Sequence, residues 1–440
     1  MSLEMQGLRA RTALVLGYGV TGRAVARFLV ARGVAVRISD RRPLPVDVDE
    51  WLCQHAQAFE GGGHSAQFLE GVDVVIPSPG VAAGEPILVE ARRRGVPVAS
   101  ELDVAQSVTK TPVLAVTGTN GKSTTVSLIG SLLELAGLKA WVGGNLGTPF
   151  VSYADRAESA NVAVVEASSF QLEQSSWFRP SVAVLLNLEP NHLERHGTFE
   201  AYQAAKLRVF ARQKESDAAV LPRRLADTVD HGRGRLVVYD EPIPPLPRGS
   251  QALGAVWRLD LAAAICACRE LVPGFDATTL DVEQLESALR LPHRQSLVGT
   301  AGGVRFVDDS KATSAAATLA ALTSVPGPHV LLLGGRSKRG GYEALAAALA
   351  ASPPRAILLY GEAREELAAA LSKVAVPYRF AADLDEAFRA AVAAARPGDV
   401  VLLSPACSSF DAFRSYEERG QAFVAAARRL SGFSESAKDA

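Results

Sequence analysis

Short runs of β-branched and aliphatic residues alternate along the whole chain with alanine- and arginine-rich stretches of helical period. Near the start, residues 12–16 (TALVL) predict a strand, a helix follows to Arg32, and 34–40 and 72–76 predict two more strands, the last ending before Pro77. Strands separated by helices predict a parallel sheet, because each helix carries the chain back to the same end. The pattern restarts at 112–117, with strands predicted at 161–166 and 182–187, which places a domain boundary near residue 106. Around residues 242–248 the segment EPIPPLPR cannot be helix interior, since proline lacks the N–H a helix needs, and it predicts an extended loop inside the second domain. After LPHR at 291–294 the alternation begins again with strands predicted at 304–307, 329–333, 356–360 and 400–403, which gives a third α/β domain. No repeat of solenoid period is present.

The length of 440 residues agrees with this division, because it exceeds what a single hydrophobic core sustains. With 48% hydrophobic and 21% charged residues the chain has the composition of an ordered globular protein. Lysine and arginine number 46 against 47 acids, so no global positive field exists to hold nucleic acid or an anionic membrane, and an anionic ligand must meet local charge. The four cysteines, Cys53, Cys266, Cys268 and Cys407, include one C-x-C pair and no second pair to complete a zinc site, as expected of a reduced protein. The N-terminal segment has too short an apolar run for a signal peptide, and no segment approaches a membrane span. A cytoplasmic location follows as the expectation.

Two glycine-rich turns carry the chemistry. The first, Gly17-Tyr18-Gly19-Val20-Thr21-Gly22, lies between a predicted strand and helix, and Asp40 ends the next strand. That is the context of a fingerprint in which backbone N–H groups approach a pyrophosphate at a helix start. It names a phosphate group, of a dinucleotide or a nucleotide sugar, and no reaction. The second, Gly118-Thr119-Asn120-Gly121-Lys122-Ser123-Thr124, follows an apolar strand directly. It supplies a glycine turn, a lysine for terminal phosphates and a hydroxyl for Mg²⁺, although Val116 stands where the usual phosphate loop has its first glycine. These residues predict an ATP-type nucleotide. The pair His192 and His196 in HLERH has the i,i+4 spacing of zinc ligands, but the glutamate is misplaced for HExxH and a zinc protease is rejected.

At the second loop the sequence resembles the Mur ligase family, whose members carry GTNGK[ST]. GGNLG at 143–147, EASSFQLE at 166–173 and the N-x-x-x-x-H segment from Asn187 to His192 extend the resemblance, and DSKAT at 309–313 with LSPACSS at 403–409 resemble its D-glutamate-adding branch. The resemblance implies an α/β protein of three domains: a Rossmann-like domain at 1–106 for a UDP-linked precursor, a central P-loop ATPase-type domain at 107–292, and a Rossmann-like domain at 293–440 for closure and the amino acid. It implies ATP-dependent addition of D-glutamate to UDP-N-acetylmuramoyl-L-alanine through an acyl phosphate, in peptidoglycan precursor synthesis, by a monomer that uses ATP and two Mg²⁺ ions. By the same resemblance Gly19, Val20, Thr21, Asp40, Arg41, Gly80, Asn145, Ser168 and Gln171 meet the precursor. Lys122, Glu166, His192 and Lys206 are catalytic, with Ser123, Glu166, His192 and a carbamylated Lys206 around the metal, while Arg294 and Asp309 join the loop in holding the nucleotide. Lys311, Thr313, Lys338, Ser409 and Tyr416 hold the amino acid, with Ser409 expected at the start of a helical pattern over 413–423.

Phosphoryl transfer between anions requires positioning and charge neutralisation, which explains a lysine, a carboxylate at a strand end and a divalent cation together. The chain departs from the family pattern at Asn191, Ser314, Arg336 and Asp260, the last near the expected adenine contact. Another ligase of the superfamily with a different amino acid, or a folylpolyglutamate synthase, is the first alternative, which the N-terminal fingerprint, DSKAT and SPACSS oppose. A dinucleotide-dependent dehydrogenase or redox regulator is the second, and it leaves the second phosphate loop without a task.

Overall fold

The computed structural model describes residues 3–5, 7–43, 50–154, 160–253, 255–289, 291–337 and 342–435. The chain forms two compact units. One comprises Met1–Leu188, Glu200–Ser250 and Arg258–Leu285, and the other Glu189–Phe199, Gln251–Trp257 and Glu286–Ala440.

The first unit contains two parallel sheets. In the four-stranded sheet the order is Ala58–Gly61, Ala35–Asp40, Thr12–Leu16, Val74–Pro77. Consecutive strands run outward from Thr12–Leu16 and the chain then returns to its other side, so the strand order reverses between Thr12–Leu16 and Val74–Pro77. Ligands of open α/β sheets bind at such a reversal, beyond the carboxyl ends of the strands. Leu14, Leu16 and Val75 pack there with Ile87 and Leu88 of the helix Pro86–Arg93.

The six-stranded sheet has the order Arg235–Val238, Ala218–Leu221, Val182–Leu185, Val113–Thr117, Val162–Glu166, Ala140–Gly144. All five pairings are parallel. Every residue of Val113–Thr117 and of Val162–Glu166 is buried, as the uninterrupted apolar runs require of strands covered on both faces. The helix Lys122–Leu135 buries Val126, Leu128, Ile129, Leu132 and Leu133, each of which contributes roughly 1.5 to 3 kcal/mol of apolar burial. That packing holds the first turn of the helix against the end of Val113–Thr117.

In the second unit seven strands follow the order Arg379–Phe380, Ala356–Tyr360, His329–Gly334, Val400–Ala406, Val304–Asp308, Ser296–Ala301, Ser434–Glu435. The first five strands are mutually parallel, and Ser296–Ala301 pairs antiparallel with both of its neighbours, Val304–Asp308 and Ser434–Glu435. The two-residue period of strands is visible in the packing. Leu331, Leu333, Ile357, Leu359 and Leu402 enter the core on one face, whereas Val330, Leu332, Leu358, Val401 and Leu403 enter that on the other. Among the described residues no helix is long and apolar enough to cross a membrane.

Two helices bear on the expected boundaries. The helix Glu101–Val108 covers the expected break near residue 106, because Ser100 and Asp103 form a capping box that starts a helix there. The expected pattern over 413–423 begins instead as the helix Tyr416–Arg428, with Ser415 accepting from the Glu418 N–H as N-cap. Ser409 is therefore not at that helix start.

Candidate functional site

The first glycine turn is shaped by close backbone approach. Gly17 has φ +81° and donates its N–H to Ser39 O at 2.8 Å, while Ser78 Oγ donates to Gly17 O at 2.8 Å. A Cβ on Gly22 would stand 1.9 Å from Gly17 O, so only glycine lets the helix Val20–Ala31 begin this close to the turn. Its N-cap, Gly19, has no side chain to cap the first turn, and Val20 is 74% exposed there. Gly80 borders the same reversal of strand order on the far side of Val74–Pro77 and is exposed, and Thr21 is half-buried.

Asp40 accepts the Tyr18 N–H at 2.7 Å, the Arg42 N–H at 2.8 Å and two guanidinium bonds from Arg42 at 3.1 and 3.0 Å. Burial works to raise its pKa, yet the Arg42 bonds and the two N–H donors together hold the carboxyl down at about 2. Asp40 thus braces the glycine turn, and its cationic partner is Arg42; the side chains of both Arg41 and Arg42 are exposed.

At the second turn the geometry is denser. Gly118 and Gly121 have φ +151° and +82°, and a Cβ on Gly121 would lie 2.5 Å from Asp260 Oδ1. Asn187 ties the turn to the adjacent strand end. Its side chain accepts the Asn120 N–H at 2.8 Å and donates to Asn120 O at 3.2 Å, and its carbonyl accepts the Thr119 N–H at 3.1 Å. Lys122 curls over the loop and donates to Gly118 O and Thr119 O, both at 2.9 Å. Burial lowers the pKa of its amine, and the Glu166 charge works against that. Ser123 Oγ donates to Glu166 Oε2 at 2.6 Å and Asn145 Nδ2 to Glu166 Oε1 at 2.7 Å, so the buried carboxylate at the end of Val162–Glu166 collects both loops. Thr124 is buried beneath the first turn of the helix.

Lys206 is only 2% exposed, against the ordinary expectation for a helical lysine. Its Nζ donates to Gly118 O at 2.7 Å and stands 4.8 Å from the ring centroid of Tyr202, whose hydroxyl pairs with Thr119 Oγ1 at 2.9 Å. The i,i+4 spacing puts Tyr202 and Lys206 on one face of the helix Phe199–Leu207, directed at the loop. Ser168 and Gln171 engage each other: Gln171 Oε1 accepts from Ser168 N at 2.9 Å and Ser168 Oγ at 2.8 Å, which caps the short helix Ser169–Glu173. Asp260 is buried beside Gly121, at the back of the phosphate loop.

His192 belongs to the second unit, where it has φ 56°, donates its backbone N–H to Asn191 Oδ1 at 3.0 Å and faces Glu194 at 3.4 Å. In the same unit Asp309 is fully enclosed. Burial pushes its pKa up to about 7, against the charge of Arg294, the Ser404 hydroxyl at 2.7 Å and the Gln295 N–H at 3.2 Å. Arg294 Nε is buried without a hydrogen-bond partner among the described residues. Lys311 Nζ donates to Tyr416 Oη at 3.0 Å, and Thr313 follows in the same loop, its N–H on Lys311 O. Ser409 is 2% exposed. Ser314 accepts from the Ala317 N–H and caps the helix Ala315–Ser324, a task asparagine would also perform. Arg336 makes a forked surface pair with Glu362 at 2.9 and 3.0 Å. Lys338 lies outside the described residues.

Sequence reasoning did not single out Arg419. Fully buried on the helix Tyr416–Arg428, it donates to Ser310 Oγ and O at 3.0 and 2.8 Å and to Cys407 O and Gly334 O at 3.1 and 3.4 Å. It joins the three loops at the carboxyl ends of this sheet. The only hint in sequence is its place one turn after Tyr416.

A glycine turn between a central parallel strand and a helix, with lysine, hydroxyl and strand-end carboxylate converging, defines a phosphate-loop protein of the α/β class. The Mur ligase MurD-like N-terminal domain matches residues 11–100, the Mur ligase middle domain 116–231 and the Mur ligase glutamate ligase domain 293–407. The chain belongs to the Mur ligase family. It is 38% identical to the UDP-N-acetylmuramoylalanine--D-glutamate ligase of Syntrophus aciditrophicus, over 93% of this chain and 96% of that one. To the ligase of the same name from Nitratidesulfovibrio vulgaris it is 40% identical, over 95% and 96%. Among solved structures, the UDP-N-acetylmuramate-alanine ligase MurC of Thermotoga maritima shares the fold with a TM-score of 0.56 at 20% identity, covering 94% of this chain and 98% of that one.

Proposed function

We propose that the chain ligates D-glutamate to UDP-N-acetylmuramoyl-L-alanine at the expense of ATP, in peptidoglycan precursor synthesis, with ADP and phosphate as the other products. The observation that carries this reading is the Lys122, Ser123, Glu166 and Asn145 cluster on the phosphate loop, within a chain 38% identical over nearly its whole length to a ligase of that name. Lys122 would meet the terminal phosphates, whose negative charge would draw its amine away from the loop carbonyls. Transfer of the γ-phosphoryl group to the alanyl carboxylate gives an acyl phosphate. The neutral amine of D-glutamate attacks it, and phosphate leaves from the tetrahedral intermediate.

The donors suit Mg²⁺. A hydroxyl and a carboxylate are hard oxygen ligands, and magnesium typically takes one or two carboxylates beside substrate phosphates and water. When bound, Mg²⁺ neutralises phosphate charge. Ser123 and Glu166 would hold one ion, and a carbamylated Lys206 would add a carboxylate toward a second. Gly19, Val20, Thr21 and Gly80, with the turn braced by Asp40, serve the UDP group, and Asn145, Ser168 and Gln171 the acyl end. Arg294 and Asp309 serve the nucleotide, and Lys311, Thr313, Lys338, Ser409 and Tyr416 the amino acid. The working regions are 1–106, 107–292 and 293–440 of a cytoplasmic monomer. ADP release assayed with the precursor and a panel of amino acids tests the reading. Release that needs both the precursor and D-glutamate supports it, and release that ignores either overturns it.

A further inference from the structure

The first unit holds both the sheet assigned to the UDP group and the phosphate loop, and the helix Glu101–Val108 joins them in sequence. Two buried carboxylates in its first turn reach beyond their own helix. Asp103 accepts Ser100 N at 2.8 Å and its own N–H donates to Ser100 Oγ at 3.2 Å, as a capping box requires. It also accepts Ser175 Oγ at 2.8 Å, Ser176 N at 2.9 Å and Trp177 N at 2.8 Å. Helix capping needs only the first two, so the other three serve something else. They fasten the segment that leaves the Ser169–Glu173 helix. Glu101, 1% exposed, accepts the Val151 N–H at 2.6 Å, and the Gln171 side chain and Phe150 N–H approach the same carboxylate. Val151 lies just beyond the loop that brings Asn145 to Glu166.

The acidic pair thus holds the exits of both loops that flank Glu166. Further along the seam between the two sheets, Ser176 Oγ donates to Val98 O at 3.0 Å, Gln174 to Val81 O at 3.4 Å, Arg92 to Gln174 Oε1 at 3.4 Å and Arg32 to Ala154 O at 3.3 Å, and a cavity of about 380 Å³ is lined by Arg92, Pro97, Glu173 and Arg208.

We propose that Asp103 and Glu101 are positioning residues that set the span between the UDP-binding turn and the loops around Glu166, so that one precursor molecule engages both ends at once. This rests on the ligase reading above. A ligand with two linked ends gains from simultaneous engagement only while the protein holds the two subsites at the matching distance.

The test separates the ends. In Asp103→Asn, affinity for UDP alone and for ATP alone should stay within about twofold of the native protein, while KM for the whole precursor rises about tenfold or more. Ser175→Ala, which deletes one donor to the same carboxylate, and Glu101→Gln should shift the same ratio by less and keep the measurement readable if Asp103→Asn folds poorly. An unchanged precursor KM in all three variants overturns the proposal, and so does a parallel weakening of UDP, ATP and precursor, which is general damage. Lack of precursor-dependent ADP release in the native protein would instead overturn the ligase reading itself.

Discussion

Asp309→Asn should change how the stability of the second unit depends on pH. The carboxyl ordinarily titrates near 3.8 and is pushed up to about 7 by burial. A folded pKa raised above the unfolded one means that the folded state holds the proton more tightly. Its stabilising contribution is complete below about pH 4 and is lost as pH rises through about 7. A shift of about three units corresponds to about 4 kcal/mol in all, of which about 2 kcal/mol falls between about pH 5.5 and about pH 8. Asparagine has the same shape, keeps an oxygen for the Gln295 N–H, and can donate to Ser404 Oγ, whose hydroxyl is free to turn toward Thr318 at 3.2 Å. The variant should therefore lack this slope. Urea unfolding followed at several pH values, with the difference between native and variant read for the transition of the second unit, gives the quantity directly. Native protein should lose about 2 kcal/mol relative to the variant across that window. A difference that stays constant with pH would show that Asp309 remains ionised beside Arg294, and the account of this buried pair would be wrong.

Lys122→Ala should lower kcat about a hundredfold or more, because it deletes the cation on the reacting phosphates, and should leave UDP affinity unchanged; turnover near the native level would remove the phosphate loop from the chemistry. Gly121→Ala forces φ +82° on a residue with a Cβ only 2.5 Å from Asp260 Oδ1, so thermal unfolding should show a loss of about 1 to 3 kcal/mol together with weaker ATP binding. Lys206→Ala should be inactive, and intact-protein mass spectrometry at neutral pH should find a labile carboxylate on native Lys206; an unmodified native lysine in fully active enzyme would exclude the carbamate. Ser409→Ala should narrow the preference in kcat/KM for D-glutamate over D-glutamine, since a site built for a charged group rejects ligands that lack it; an unchanged ratio removes Ser409 from that recognition.

Most strands were legible in the sequence because their signal is local. Residues 12–16 and 356–360 are apolar runs ending at a turn residue, and the structure begins and ends those strands at the same positions. The GTNGKST loop was legible for a similar reason, since glycine at Gly121 is demanded by a backbone conformation that few other residues adopt. What stayed hidden depends on distant partners. Lys206 reads as a surface lysine until the carbonyl of Gly118 is found against it, and Arg419 until three loops are seen to converge on it. The late helix start at Tyr416 reflects competition between an apolar pattern that begins earlier and the cap supplied by Ser415. Residues 189–199 and 251–257 join the second unit although nothing in their composition separates them from their neighbours.

The central claim is that this chain makes an amide bond by way of an acyl phosphate, and transfer of labelled oxygen tests it most directly. UDP-N-acetylmuramoyl-L-alanine carrying heavy oxygen in its alanyl carboxylate is incubated with ATP, Mg²⁺ and D-glutamate, and the released phosphate and the ligated product are analysed by mass spectrometry. The account predicts one heavy oxygen in each phosphate released, in step with the glutamyl product and dependent on D-glutamate. Phosphate free of heavy oxygen, or released without the product, would contradict it.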